Sequence, residues 1–333
     1  MRRRWGGARI TTVLVLLATA FSVIAAYAFA QFSPWPMVLM RRLNEDRSGV
    51  KINEALERFV PAGISAKRNL QYERADKNAL LDVFYPSAVD GTNRVLPTVV
   101  WVHGGSWVTG SKDLIVNYLK ILASKGFLAV GVDYGLAPAN LYPTPVRQVN
   151  EALDFLQRNG EELHADSSRF FLAGDSAGAQ IAAQLATVIT SPSYANDVGI
   201  TPSIRRSQLK GVVLHCGAYE AKLANYRRNG VLWAYFGTKD FATDPRLSQF
   251  SVARHVTPDF PAMFISAGND DPYAAQSYLF AETAARQGIL VDSLFFPEGH
   301  VPKVWHQFQF FLDTDAGRIA LQRSIEFMAE QSK

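Results

Sequence analysis

The residues Gly174-Asp175-Ser176-Ala177-Gly178 hold a serine between two glycines at G-x-S-x-G spacing. A serine hydroxyl is a poor nucleophile at neutral pH, so its chemistry needs a base to remove the proton and donors to hold the developing negative charge. The apolar run Phe170 to Ala173 precedes the motif and a helical pattern follows it, which is the strand and helix that a nucleophile elbow joins. Small flanking residues let the backbone turn sharply there and lift Ser176 Oγ above the sheet. Alone, the motif is weak evidence, because three fixed positions recur by chance about once in ten chains of this length.

A second motif lies 73 residues upstream, where His103-Gly104-Gly105-Ser106-Trp107 follows the apolar run Thr98 to Val102. Consecutive glycines after a strand let backbone N–H groups approach a substrate closely. Gly104, Gly105 and Ala177 are therefore the expected oxyanion donors, with His103 as part of the supporting motif. A phosphate loop overlaps this stretch only superficially: the order Gly110-Ser111-Lys112 inverts the Gly-Lys-Ser/Thr that such a loop needs.

An acid and a base should follow the serine in the order Ser, Asp/Glu, His. Gly268-Asn269-Asp270-Asp271-Pro272 comes after the apolar run Ala262 to Ser266, and Glu298-Gly299-His300 comes after Leu290 to Phe296. His164, His215 and His255 precede the acid and suit structural or surface roles. His306 is the rival base, but its neighbours Trp305, Phe308 and Phe311 read as a packed helix.

These loops require a scaffold that brings strand ends to one edge. Short apolar runs at Leu80 to Tyr85, Thr98 to Val102, Leu128 to Val132, Phe170 to Ala173, Gly211 to His215 and Ala262 to Ser266 alternate with helical patterns at Leu114 to Ser124, Val146 to Gln157, Ala177 to Ile189, Ala274 to Arg286 and Gly317 to Glu330. Such alternation predicts an α/β fold with a mostly parallel sheet flanked by helices. Residues 31–68 read as a linker and lid segment with a helix around Lys51 to Phe59, and 69–333 as the catalytic domain. Tyr219 to Pro258, with Trp233, Tyr235 and Phe236, breaks the rhythm as an insertion over the edge where α/β folds place ligands.

In this order the motifs, with Asp133-Tyr134-Gly135-Leu136-Ala137-Pro138 between them, resemble those of the hormone-sensitive-lipase-like carboxylesterases of the α/β-hydrolase fold, over about residues 69–328. The resemblance implies a triad of Ser176, Asp271 and His300, no cofactor, and ester hydrolysis through an acyl-enzyme; the short insertion Tyr219 to Pro258 with its aromatics predicts short-to-medium acyl groups. An amidase, formamidase or peptidase would use the same triad. Ser106 and Gly135 depart from the pattern, which often has a third glycine and usually an arginine at those places. The choice of Asp271 over Asp270 also follows from Pro272, whose ring biases the preceding residue toward extended backbone. Gly299 likewise frees the loop to carry His300 over the serine.

Composition excludes other functions. Of 34 basic residues, Arg2, Arg3, Arg4 and Arg9 lie in the first 30 positions, which contain no acid, so the remainder balances 30 basic against 30 acidic side chains. Such a body has no electrostatic attraction for nucleic acid. Cys216 is the sole cysteine, so neither an intramolecular disulfide nor a cysteine-built zinc site exists. Ile10 to Ala30 runs 21 residues without charge, long enough to span a bilayer. Residues 1–30 are therefore expected to be a membrane anchor with the body on the non-cytoplasmic side, or a signal peptide cleaved after Ala28-Phe29-Ala30.

Overall fold

The computed structural model describes residues 5–221 and 230–333. Eight strands form one sheet: β1 (Ile64–Gln71), β2 (Leu80–Pro86), β3 (Leu96–Val102), β4 (Leu128–Val132), β5 (Ala165–Asp175), β6 (Leu209–His215), β7 (Met263–Ala267) and β8 (Val291–Phe295). Their spatial order is β1-β2-β4-β3-β5-β6-β7-β8. From β4 to β8 all pairings are parallel, while β2 runs antiparallel to both of its neighbours. The described helices are α1 (Trp5–Phe32), α2 (Trp35–Leu56), α3 (Val116–Ala123), α4 (Thr144–Arg158), α5 (Gly160–Leu163), α6 (Ala177–Thr190), α7 (Pro192–Val198), α8 (Gly230–Phe236), α9 (Arg246–Phe250), α10 (Ala274–Arg286) and α11 (Asp315–Gln331).

Strand side chains alternate between two cores because successive Cβ atoms point to opposite faces. Val100 and Val102 of β3 enter the core built with α4, α6 and α10, while Val99 and Trp101 enter the one built with α3 and α11. Helix α4 buries Val146, Val149, Leu153 and Leu156, a single stripe at helical spacing. Helix α6 is buried all round, and its alanines let it lie close against β5 and β6.

Two segments differ from the sequence expectation, and a third lies partly outside the described residues. Strand β1 begins inside the stretch read as a linker and runs three residues past it, unseen because its residues are mostly polar and none is fully buried, as an edge strand paired on one side permits. The helix expected near Lys51 to Phe59 starts much earlier, at Trp35, and continues as one tight turn at Glu57–Phe59. The insertion from Tyr219 contains α8 and α9, and its residues 222–229 lie outside the described part.

Lys112, the lysine of the inverted phosphate-loop pattern, is fully buried, with Nζ 3.2 Å from Asp82 Oδ1 and 2.8 Å from Asn69 Oδ1. It is a structural cation that fastens the β1 bulge to β2. Replacing Lys112 with Met should leave the buried Asp82 short of a partner and cost about 3 kcal/mol. Urea unfolding of the variant checks this; a loss near zero would mean that Arg68, 2.8 Å from Asp82 Oδ2, neutralises that carboxylate alone.

Candidate active site

Ser176 follows the last residue of β5 and caps the N-terminus of α6 at φ 52, ψ −118. A non-glycine residue at positive φ is strained by about 1–3 kcal/mol and persists only where its surroundings hold it. Here Ser176 N–H donates to His215 O at 2.9 Å and Ser176 O accepts from Gln180 N–H at 3.2 Å. A Cβ on Gly178 would lie 2.0 Å from Val102 O, so the second glycine is what lets α6 approach the end of β3. The serine is half-buried at the C-terminal edge of the sheet.

Asp271 and Asp270 separate clearly. Asp270 is exposed, whereas the Asp271 side chain is closed off from solvent and its Oδ1 accepts the Tyr273 N–H at 2.8 Å. The same oxygen lies 3.0 Å from His306 Nδ1. An ionised carboxylate can only accept, so this contact holds the proton on Nδ1 and leaves Nε2 as the acceptor. The His306 ring meets the Tyr273 ring edge-on at 5.3 Å.

His300, the base expected from sequence, is placed elsewhere. Its ring packs against Phe296 at 4.9 Å, and no hydrogen bond or ion pair joins it to Asp271 among the described residues. The cause is Asn269, whose Nδ2 donates to Glu298 O and His300 O and whose Oδ1 accepts from Val304 N–H. This side chain staples the loop so that His300 turns toward Phe296 and the chain returns to Asp271 six residues later. Nor is His306 in a packed helix: it sits in a turn, and α11 begins only at Asp315.

The oxyanion expectation also changes. Gly104 N–H donates to Asp175 Oδ2 at 3.1 Å, so this donor is occupied. Gly105, Ser106 and Ala177 N–H groups make no hydrogen bond among the described residues. Sequence reasoning overlooked Asp175 itself. Its buried carboxylate accepts from Trp101 Nε1 at 2.9 Å, from Gly104 and from Gln307 Nε2, tying β3, the glycine loop and the residue after His306 to the elbow. Burial raises its pKa, which these donors and nearby His306 oppose.

His103 plays a supporting part. Its Nδ1 lies 2.6 Å from Gly104 O and its ring stacks on Tyr134 at 4.3 Å, while burial pushes its pKa down to about 4 and keeps it neutral. Arg42 of α2 donates to Val108 O at 2.9 Å and to Ala137 O at 3.3 Å, fastening that helix to the glycine loop and to the segment after Gly135. Trp107 donates to Gln180 Oε1 and stacks on Tyr235 of α8 at 5.2 Å, so buried aromatics fill the space beside the elbow. Among the described residues one group, Cys216, Asp271 and His306, brings possible metal-ligating atoms within 4.8 Å of one another. The imidazole there already bonds the carboxylate and burial pushes the Cys216 thiol up, which favours a hydrogen-bonded pair over a metal site.

The chain is 32% identical over 130 residues to an esterase of Gibberella moniliformis (strain M3125 / FGSC 7600), covering 39% of this chain and 40% of that protein. It is 37% identical over 123 residues to the carboxylesterase NlhH of Mycobacterium tuberculosis, covering 37% and 36%. The matched stretches thus span well under half of these relatives. The fold superposes on the crystal structure of esterase B from Lactobacillus rhamnosis with a TM-score of 0.75 at 22% identity, over 90% of this chain and 96% of that one. The elbow, the glycine loop and the acid loop all fall within residues 99–309, which match the Abhydrolase_3 family model of the alpha/beta hydrolase fold; this stretch is more than half of the chain, and the chain belongs to that family.

Proposed function

We propose that this protein is a serine carboxylesterase acting through Ser176, His306 and Asp271. The observation that carries this reading is the His306–Asp271 pair, held at the same sheet edge as a strained serine at the head of α6. Ser176 Oγ attacks the ester carbonyl while His306 Nε2 takes its proton, and Asp271 stabilises the imidazolium that forms. Gly105 and Ala177 N–H groups, with Ser106 as a third, receive the oxyanion; one such donor is worth about 10²–10³ in kcat. His306 returns the proton to the leaving alcohol, and water then repeats the attack on the acyl-enzyme. The relatives named esterases support the ester as the scissile bond. The buried aromatics beside the elbow support short-to-medium acyl groups, since they close the path that a long chain would follow.

The test compares p-nitrophenyl esters of C4 and C16 acids with an anilide and an N-formyl amine. Fastest turnover is expected on the C4 ester. Faster cleavage of the C16 ester would refute the pocket assignment, and faster cleavage of the anilide would refute the esterase.

The reading places the body on the non-cytoplasmic side of a membrane, anchored by α1. Thr11–Phe29 within α1 is long and apolar enough to cross a bilayer, and the arginines before it keep the N-terminus cytoplasmic. Membrane fractionation with N-terminal sequencing tests this: an intact N-terminus in the membrane fraction is expected, and a soluble form beginning at Gln31 would make the segment a cleaved signal.

A further inference from the structure

Helix α2 covers the glycine loop with one face: Arg42 bonds Val108 O and Ala137 O, and the Ser106 hydroxyl lies 3.4 Å from Glu45 Oε1. Its opposite face is unusual for a helix in water. Leu39, Met40 and Leu43 there are 49–59% exposed, and Trp35, 40% exposed one turn before Leu39, flanks them with the Arg42 guanidinium 5.6 Å from its ring centre. Past Leu43 the exposed positions are mainly polar, with Asn44, Asp46, Arg47, Ser48, Lys51 and Glu54, and Val50, 46% exposed, is the one large apolar side chain among them. A helix facing water alone would be polar along its whole outer face. Across the entrance, Val301 is 83% and Trp305 66% exposed in the loop that delivers His306. One cavity joins the two sides: Glu45, Ser48 and Ile52 of α2 line it together with Gln307, the residue after His306. Both apolar patches therefore border one mouth.

We propose that this mouth rests on a lipid bilayer and takes amphiphilic esters from it, the short acyl group entering the pocket while the alcohol portion stays in lipid. The inference builds on the esterase and anchor readings above. The occupant follows from the chain itself. Only Ser33 and Pro34 separate α1 from α2, and two residues reach less than about 10 Å, so an anchored α1 must deliver the first turns of α2 at the membrane surface. The grading of α2 fits that position. Its apolar end lies next to the anchor, Trp35 is a residue type favoured at membrane interfaces, and Arg47 and Lys51 stand farther out, where anionic headgroups would meet them.

The experiment uses the full chain reconstituted in phosphatidylcholine vesicles. Cys216 is the sole cysteine and buried, so a nitroxide can be placed selectively at Leu43→Cys or Trp305→Cys, with Glu54→Cys as the polar reference. Labels at 43 and 305 should collide with oxygen and be shielded from a water-soluble nickel chelate, unlike the label at 54. Equal nickel access at all three positions would overturn the proposal. Separately, the double variant Leu39→Gln/Leu43→Gln should hydrolyse a long-chain alkyl acetate dissolved in the vesicles about tenfold more slowly than wild type, with soluble p-nitrophenyl acetate within about twofold. An unchanged ratio between the two substrates would sink the bilayer reading and leave the esterase intact. A wild type that hydrolyses neither would sink the esterase reading instead.

Discussion

Replacing Ser176 with alanine should lower kcat for ester hydrolysis on the order of 10⁴-fold or more, without loss of folding stability. The serine is the one residue of the site whose backbone is strained into position while its side chain has no structural duty. Its N–H and C=O carry the elbow's hydrogen bonds, and alanine keeps both. Its hydroxyl makes no hydrogen bond among the described residues, so removal leaves no buried partner there unsatisfied. Comparison of thermal melts with turnover separates the two effects. Retention of more than a few per cent of wild-type turnover by the purified variant would show that another group attacks the ester.

His306→Ala should be nearly as damaging, lowering kcat by roughly 10³-fold or more, while His300→Ala should stay within about tenfold of wild type. Two consequences of losing His306 add together. The proton acceptor disappears, and Asp271 keeps a buried carboxylate whose remaining Oδ1 partner is the Tyr273 N–H, with Oδ2 already unpaired. Asp271→Asn should follow His306→Ala in size, because an amide cannot stabilise the imidazolium, and Asp270→Asn should be nearly silent because that side chain faces solvent. The reverse outcome for the histidines, with His300→Ala the crippling change, would mean that the loop stapled by Asn269 rearranges when substrate binds.

The same pair of histidines marks the boundary between what was legible in the sequence and what was not. Strand and helix positions could be read because they are local: Thr98 to Val102 and Phe170 to Ala173 are apolar runs, and the stripe in α4 has helical spacing. Once those elements alternate, a mostly parallel sheet follows, with the loops after β3, β5 and β7 at one edge, and Ser176, Gly105, Ala177 and Asp271 are placed by their motifs. Strand β1 escaped because an edge strand needs no apolar pattern. Which histidine meets Asp271 could not be chosen in this way, since His300 and His306 both follow β8 and differ only in how the intervening loop folds back. That path is decided by side-chain contacts remote in sequence, the Asn269 amide on three backbone groups and the Asp175 carboxylate on Gln307. The same carboxylate takes the Gly104 N–H, and Arg42 reaches from α2 to the carbonyls of Val108 and Ala137. Local propensity and spacing determine the elements and set Ser176 at the turn from β5 into α6; tertiary packing alone decides which N–H groups are left without a partner and which histidine meets Asp271, because a buried polar group takes whatever partner the fold brings within hydrogen-bond reach.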